Sequence, residues 1–270
     1  MIGLIVVLAA ASAGASAGQA SSVAGKAFDD YAAKLEAGIV REESAVASFV
    51  FVAPGAAGGG AREAARNGEV FVEPGGQAAV EVPGGMIHHW VGTVFIARAT
   101  VPQVMGVVQD YDHLARYYSP EVMSSRLISR EGDEFRIAVR MREHKVVTVV
   151  MDSEYDVKYG RLDAGHEFSF SRSTRITEIA DAGGAHEHVV AEADGHGYLW
   201  RLNSYWRFVK QGDGVLVQCE AISLTRNIPA GLGWLVGPFV AAIPRESLET
   251  TLGATRDAVV ARARMENAKR

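Results

Sequence analysis

One stretch near the end of the chain limits what the rest can fold into. From Leu232 to Ile243 no residue is charged, and from Arg245 onward Leu248, Leu252, Thr255 and Val259 recur at helical spacing with charges between them. The next position of that stripe is Arg262, so the apolar face ends there. A helix that is apolar all round is buried, whereas one with a single apolar stripe lies against another element. The pattern predicts a long C-terminal helix whose first half enters a core and whose second half rests across a sheet. Pro244 predicts a division into a short helical segment and a straight helix after it, because proline removes a backbone hydrogen bond and kinks a helix.

The sheet is foreshadowed by alternation. Phe135, Ile137, Val139 and Met141 alternate with Glu134, Arg136, Ala138, Arg140 and Arg142, and Val149, Met151, Ser153 and Tyr155 repeat the pattern. From Tyr198 one face carries Trp200, Leu202, Ser204, Trp206 and Phe208, and the other carries Arg201, Asn203, Tyr205 and Arg207. Gln211-Gly212-Asp213-Gly214 reads as a hairpin turn into Val215–Arg226. His89–Ala99 reads as a strand, after which Thr100, Pro102 and Gln103 form a capping box for a helix reaching toward Tyr118. The order is strand, helical segment, about six antiparallel strands, long helix. One-sided alternation fits an antiparallel sheet with one wet face.

This order resembles the helix-grip fold of the START/Bet v1-like (SRPBCC) superfamily, which includes polyketide cyclases and coenzyme-Q-binding proteins. The residues that carry the resemblance are the opening strand His88–Ala99, Val101-Pro102-Gln103-Val104, the segment Val108–Pro120, Trp200 with Trp206, and Ile243–Leu248. The resemblance implies an α+β fold in which a curved antiparallel sheet wraps the C-terminal helix around an apolar cavity. It spans 87–266, leaving 1–17 as a signal peptide and 18–86 as an N-terminal extension with a helix over 26–48 and a Gly/Ala-rich segment.

Composition removes several function classes. The formal charge of −5 and the lack of a Lys/Arg run argue against nucleic-acid binding. The single cysteine, Cys219, alternates with Val215 and Val217 and reads as a buried, inert thiol. Ile2–Ala10 is an apolar run too short to span a bilayer, and Ala15-Ser16-Ala17 follows it as a cleavage pattern, so export with a mature start near Gly18 is expected. No Lys or Arg precedes Lys26, which departs from the usual leader, and an uncleaved membrane anchor is the alternative. Peripheral membrane contact is a further possibility for the uncharged part of the closing helix.

The expected function is binding or transport of a hydrophobic small molecule, such as a lipid, quinone or polyketide. The ligand-binding candidates are Tyr111, Val139, Met141, Trp200 and Trp206 as cavity lining, with Trp234 near the mouth. The alternatives are a cyclase- or aromatase-like enzyme, which needs inward-facing polar groups, and an envelope interaction module docking through 18–86. No catalytic residue, metal site or cofactor is assigned. His88 and His89 point to opposite strand faces, and His186 with His188 fall short of the three or four ligands that zinc takes. Asp110, Asp112 and His113 read as helix-end solvation. Arg136, Arg140 and Arg142 read as a wet strand face.

Overall fold

The computed structural model describes residues 14–43, 68–144, 148–191, 195, 199–226 and 233–268; for 14–21, 40–43, 233–241 and 267 the backbone alone is described. In chain order the elements are α1 (Gly14–Glu43), β1 (Phe71–Val82), β2 (Gly85–Ala97), α2 (Val101–Val108), a 3-10 helix (Tyr111–Arg116), β3 (Val122–Glu131), β4 (Glu134–His144), β5 (Thr148–Asp163), β6 (His166–Ala180), β7 (His188–Val189), β8 (Arg201–Gln211), β9 (Gly214–Arg226) and α3 (Gly233–Ala268). The strands form one curved antiparallel sheet in the order β1-β2-β9-β8-β6-β5-β4-β3, with β7 paired to β6.

The closing stripe falls where its spacing predicts. Leu248, Leu252, Thr255 and Val259 are all buried, and Arg262 ends the stripe by donating to the Gly106 carbonyl. The helix settles closely on β2 because residue 92 is glycine: a Cβ there would stand 2.4 Å from Leu252 Cδ1 and 3.0 Å from Leu248 Cγ. One expectation is corrected. The helix is not divided at Pro244 but runs unbroken across Pro238 and Pro244. Each proline forfeits a single backbone bond, and the remaining ladder carries the helix past it.

Thr100 caps α2 as the capping box predicts: the Gln103 N–H donates to Thr100 Oγ1, and Gln103 Oε1 accepts from the Thr100 N–H. The helix stops at Val108, short of Tyr118. Asp110 leaves helical geometry, and its carboxylate instead takes Tyr117 Oη at 2.6 Å and His113 Nδ1 at 2.7 Å. Asp110, His113 and Tyr117 thus form a closed local cluster. Burial alone would raise the Asp110 carboxyl, but the bonds from Tyr117 and His113 outweigh it and hold it below its ordinary value.

The sheet has two apolar faces. The concave face packs with α2 and α3 around Val94, Phe208, Val217, Ile137 and Leu252. On the convex face α1 lays Ala24, Phe28, Ala32 and Ile39 over Ile87, Phe170, Tyr205, Ile222 and Leu224. Glu36 of α1 accepts a two-pronged bond from Arg172 and a third from Tyr205 Oη. Residues 71–82, placed by the sequence within the extension, form the edge strand beside β2. The convex side of β4–β5–β6 is a ladder of cross-strand ion pairs, Arg136–Asp156 and Arg140–Asp152 among them. It fits the reading of Arg136 and Arg140 as a wet face, whereas Arg142 lines a groove beside α3.

Candidate functional site

Strand register assembles the concave floor from residues far apart in the sequence. One row runs across β2, β9, β8, β6 and β5 as His88, Ser223, Leu202, Ser173 and Tyr155. The next is Trp90, Ala221, Ser204, Ser171 and Val157. A third is Gly92, Cys219, Trp206, Ser169 and Tyr159. The middle of this floor is therefore serine and alanine, bordered by tryptophan and tyrosine. Small side chains at the centre of a concave face leave volume that larger ones would fill.

Exposure agrees with that geometry. On β8 the convex residues Asn203, Tyr205 and Arg207 are buried, whereas the concave residues Leu202, Ser204 and Trp206 keep part of their surface accessible. In a filled core the concave set of a central strand would be the more buried of the two. The half of the floor nearer the third row is closed by α3, where Thr255 Oγ1 lies 3.0 Å from Tyr118 Oη. An open groove of about 430 Å³ lies at the other end, between Pro120–Glu121, the β4–β5 hairpin (Arg142, Thr148) and α3 (Glu246, Thr250). None of the six candidates lines that groove, which is polar and stands at the rim.

Tyr111, Val139, Met141 and Trp206 all belong to the concave core, so four of the six candidates share one face. Tyr111 Oη lies 2.7 Å from Tyr159 Oη, with its ring against Phe135. Trp206 stacks on Phe208 and donates from Nε1 to Ser204 Oγ at 3.3 Å. Trp200 does not join them. It precedes β8 at a bend, its N–H donates to the Leu224 carbonyl, and it packs with the α1 cluster on the convex side. Alternation carried back from Trp206 fails there because residue 200 lies outside the pleated strand. The backbone at Trp234 is helical, and its side chain lies outside the described residues, as does Tyr198.

Sequence reasoning missed His88, Trp90 and Tyr159. The signal was available, since His88 and Trp90 share strand parity with Val94 and Ile96. His88 Nε2 lies 3.0 Å from Thr225 Oγ1, and burial lowers its pKa. The opposite face carries His89, 2.9 Å from Glu220 Oε1 and 2.8 Å from Tyr31 Oη of α1. The two histidines thus serve different cores. A histidine held neutral in the fold binds fewer protons than the unfolded chain, so stability should fall as pH drops below about 6.5 toward the depressed folded value. Urea midpoints at neutral and acid pH should diverge less in His88→Gln than in the parent; equal divergence would remove His88 from the account.

Among the described residues no three His, Cys, Asp or Glu side chains gather as a metal would require. His186 is exposed just before β7 and His188 is exposed within it, and His196 lies outside the described residues. Cys219 is buried, and burial pushes its thiol well up, as an inert thiol requires.

With a curved sheet closed by one long C-terminal helix, the architecture is decided. This is a helix-grip fold. No protein-family model matches the chain, and neither does any curated protein. The solved structures similar to it include the following three. A STAR-related lipid transfer protein from Xanthomonas axonopodis is 19% identical, with 68% of this chain and 99% of that chain covered and a TM-score of 0.43. A START superfamily protein from Mycobacterium smegmatis is 16% identical, with 64% and 97% covered and a TM-score of 0.43. An aromatase/cyclase from Streptomyces is 15% identical, with 66% and 94% covered and a TM-score of 0.40.

Proposed function

We propose that this helix-grip protein binds or carries a hydrophobic small molecule between the concave floor and α3. The observation that carries the reading is the accessible surface left on Leu202, Ser204 and Trp206 in the middle of the concave face. Apolar walls with a few convergent polar groups are the usual make-up of a small-molecule site. Native mass spectrometry of protein purified from its source should show a bound species that leaves on denaturation. Ligand-free protein that no apolar probe stabilises would sink the proposal.

One observation favours chemistry on the bound molecule: His88 stands on the concave face. Under that second reading the protein is a cyclase- or aromatase-like enzyme, and the species recovered after incubation differs in mass from the species supplied. Recovery of an unchanged molecule supports the carrier.

Export completes the proposal, with cleavage after Ala17. Among the described residues the convex core includes α1 from Ala24 onward, so cleavage after Ala17 removes none of them. Sequencing the N-terminus of protein from the envelope or medium tests this; an intact Met1 in that fraction points to the anchor. Peripheral contact of Leu232–Ile243 with a bilayer is the related proposal, tested by flotation with phospholipid vesicles.

A further inference from the structure

We infer that the molecule on the concave floor is uncharged and presents oxygen acceptors to the sheet, with Tyr155, Ser153 and Trp90 selecting it. The inference rests on the binding reading above and adds the chemistry of the ligand. Tyr155 and Ser153 are only 6% and 2% exposed, and their hydroxyls are sealed from solvent without a hydrogen-bond partner of good geometry. The two stand side by side on the concave face of β5, near enough that Ser153 offsets part of the rise that burial imposes on the phenol. If one hydroxyl donates to the other, the second O–H still lacks an acceptor. Burial holds the Tyr155 pKa up at about 12, so the phenol is a neutral donor at physiological pH.

On the far side of the floor the Trp90 indole Nε1 is also sealed and without an acceptor. An indole N–H can only donate. A buried donor without an acceptor is costly, and donors of this kind at both borders of one floor call for a complement. Between them lie the hydroxyls of Ser171, Ser204 and Ser223. Among the described residues no Lys or Arg occupies the three rows, and His88 is held neutral. A carboxylate or phosphate placed here would lose its water and gain no cation. A bare hydrocarbon would leave the donors unpaired. A carbonyl, hydroxyl or ether oxygen on an apolar ring skeleton meets both conditions.

Three probes share one skeleton and separate these cases: fluorene, fluorenone and fluorene carboxylate. Calorimetry on the full chain should find fluorenone binding roughly tenfold tighter than either companion, the discrimination expected of a site built to bond an oxygen. Tyr155→Phe or Trp90→Phe, whichever removes the donor that the single carbonyl meets, should weaken fluorenone several-fold and leave fluorene unchanged; Ser153→Ala provides a third, smaller substitution beside Tyr155. Fluorene binding as well as fluorenone, the carboxylate binding tightest, or a fluorenone preference intact in all three variants would overturn the inference and leave the binding reading standing. Failure of all three probes to bind protein that circular dichroism shows to be folded would overturn both.

Discussion

Replacing Glu220 with alanine is expected to destabilise the fold by about 3–5 kcal/mol, the cost typical of removing one partner from a buried ion pair. Glu220 and Arg207 are each 1% exposed. Arg207 Nη1 donates to Glu220 Oε2 at 3.3 Å, and His89 Nε2 lies 2.9 Å from Oε1. His89 in turn meets Tyr31, and Gln218 beside Arg207 donates to Thr93. Removing the carboxylate therefore takes the counter-charge from a guanidinium that cannot reach water and the partner from an imidazole that fixes α1. Glu220→Gln, which keeps the shape and part of the bonding, should cost less. Equilibrium urea unfolding measures both; a loss below about 1 kcal/mol in the alanine variant would mean the cluster contributes little to stability.

Leu252→Ala should come close to that effect, at about 2–5 kcal/mol. Leu252 is fully buried and sits in the hollow that Gly92 leaves in β2. The neighbouring wall is backbone, which cannot collapse into the vacated space as a side chain would. The complementary change, Gly92→Val, should also destabilise, since its Cβ meets Leu252 and Leu248 inside ordinary contact distance. Combining Gly92→Ala with Leu252→Ala should recover part of either loss, because the new methyl enters the space the leucine leaves. Additive losses in the double variant would show that the two sites do not share one contact.

These residues also mark how far the sequence could be read. The stripe Leu248–Val259, the capping box at Thr100 and the alternation of β4 were legible because each is a local period or spacing. The two faces of β8 were legible as faces, but not what covers them. Asn203, Tyr205 and Arg207 read as the opposite, polar side, yet they are buried with the convex face on which α1 lies. The Ala, Glu and Lys of α1 obscured Phe28 and Ile39 as anchors, and alternation cannot name a partner so distant in the chain. The serine floor was hidden for a related reason. Ser204 reads with the aromatic face of β8, but Ser171 and Ser223 look like solvent-facing residues one strand at a time, and the three become a single patch only when their strands are set in register.

β9 lies between both cores, and none of its residues is exposed. Val215, Val217 and Cys219 face α3, while Gln218, Glu220, Ile222 and Leu224 face the side of α1. A slip of one residue would exchange the two sets, putting the Glu220 carboxylate into the concave floor and setting Cys219 opposite Arg207. Both errors would occur together, so β9 acts as the alignment key of the sheet. Its amides should be the last to exchange with deuterium.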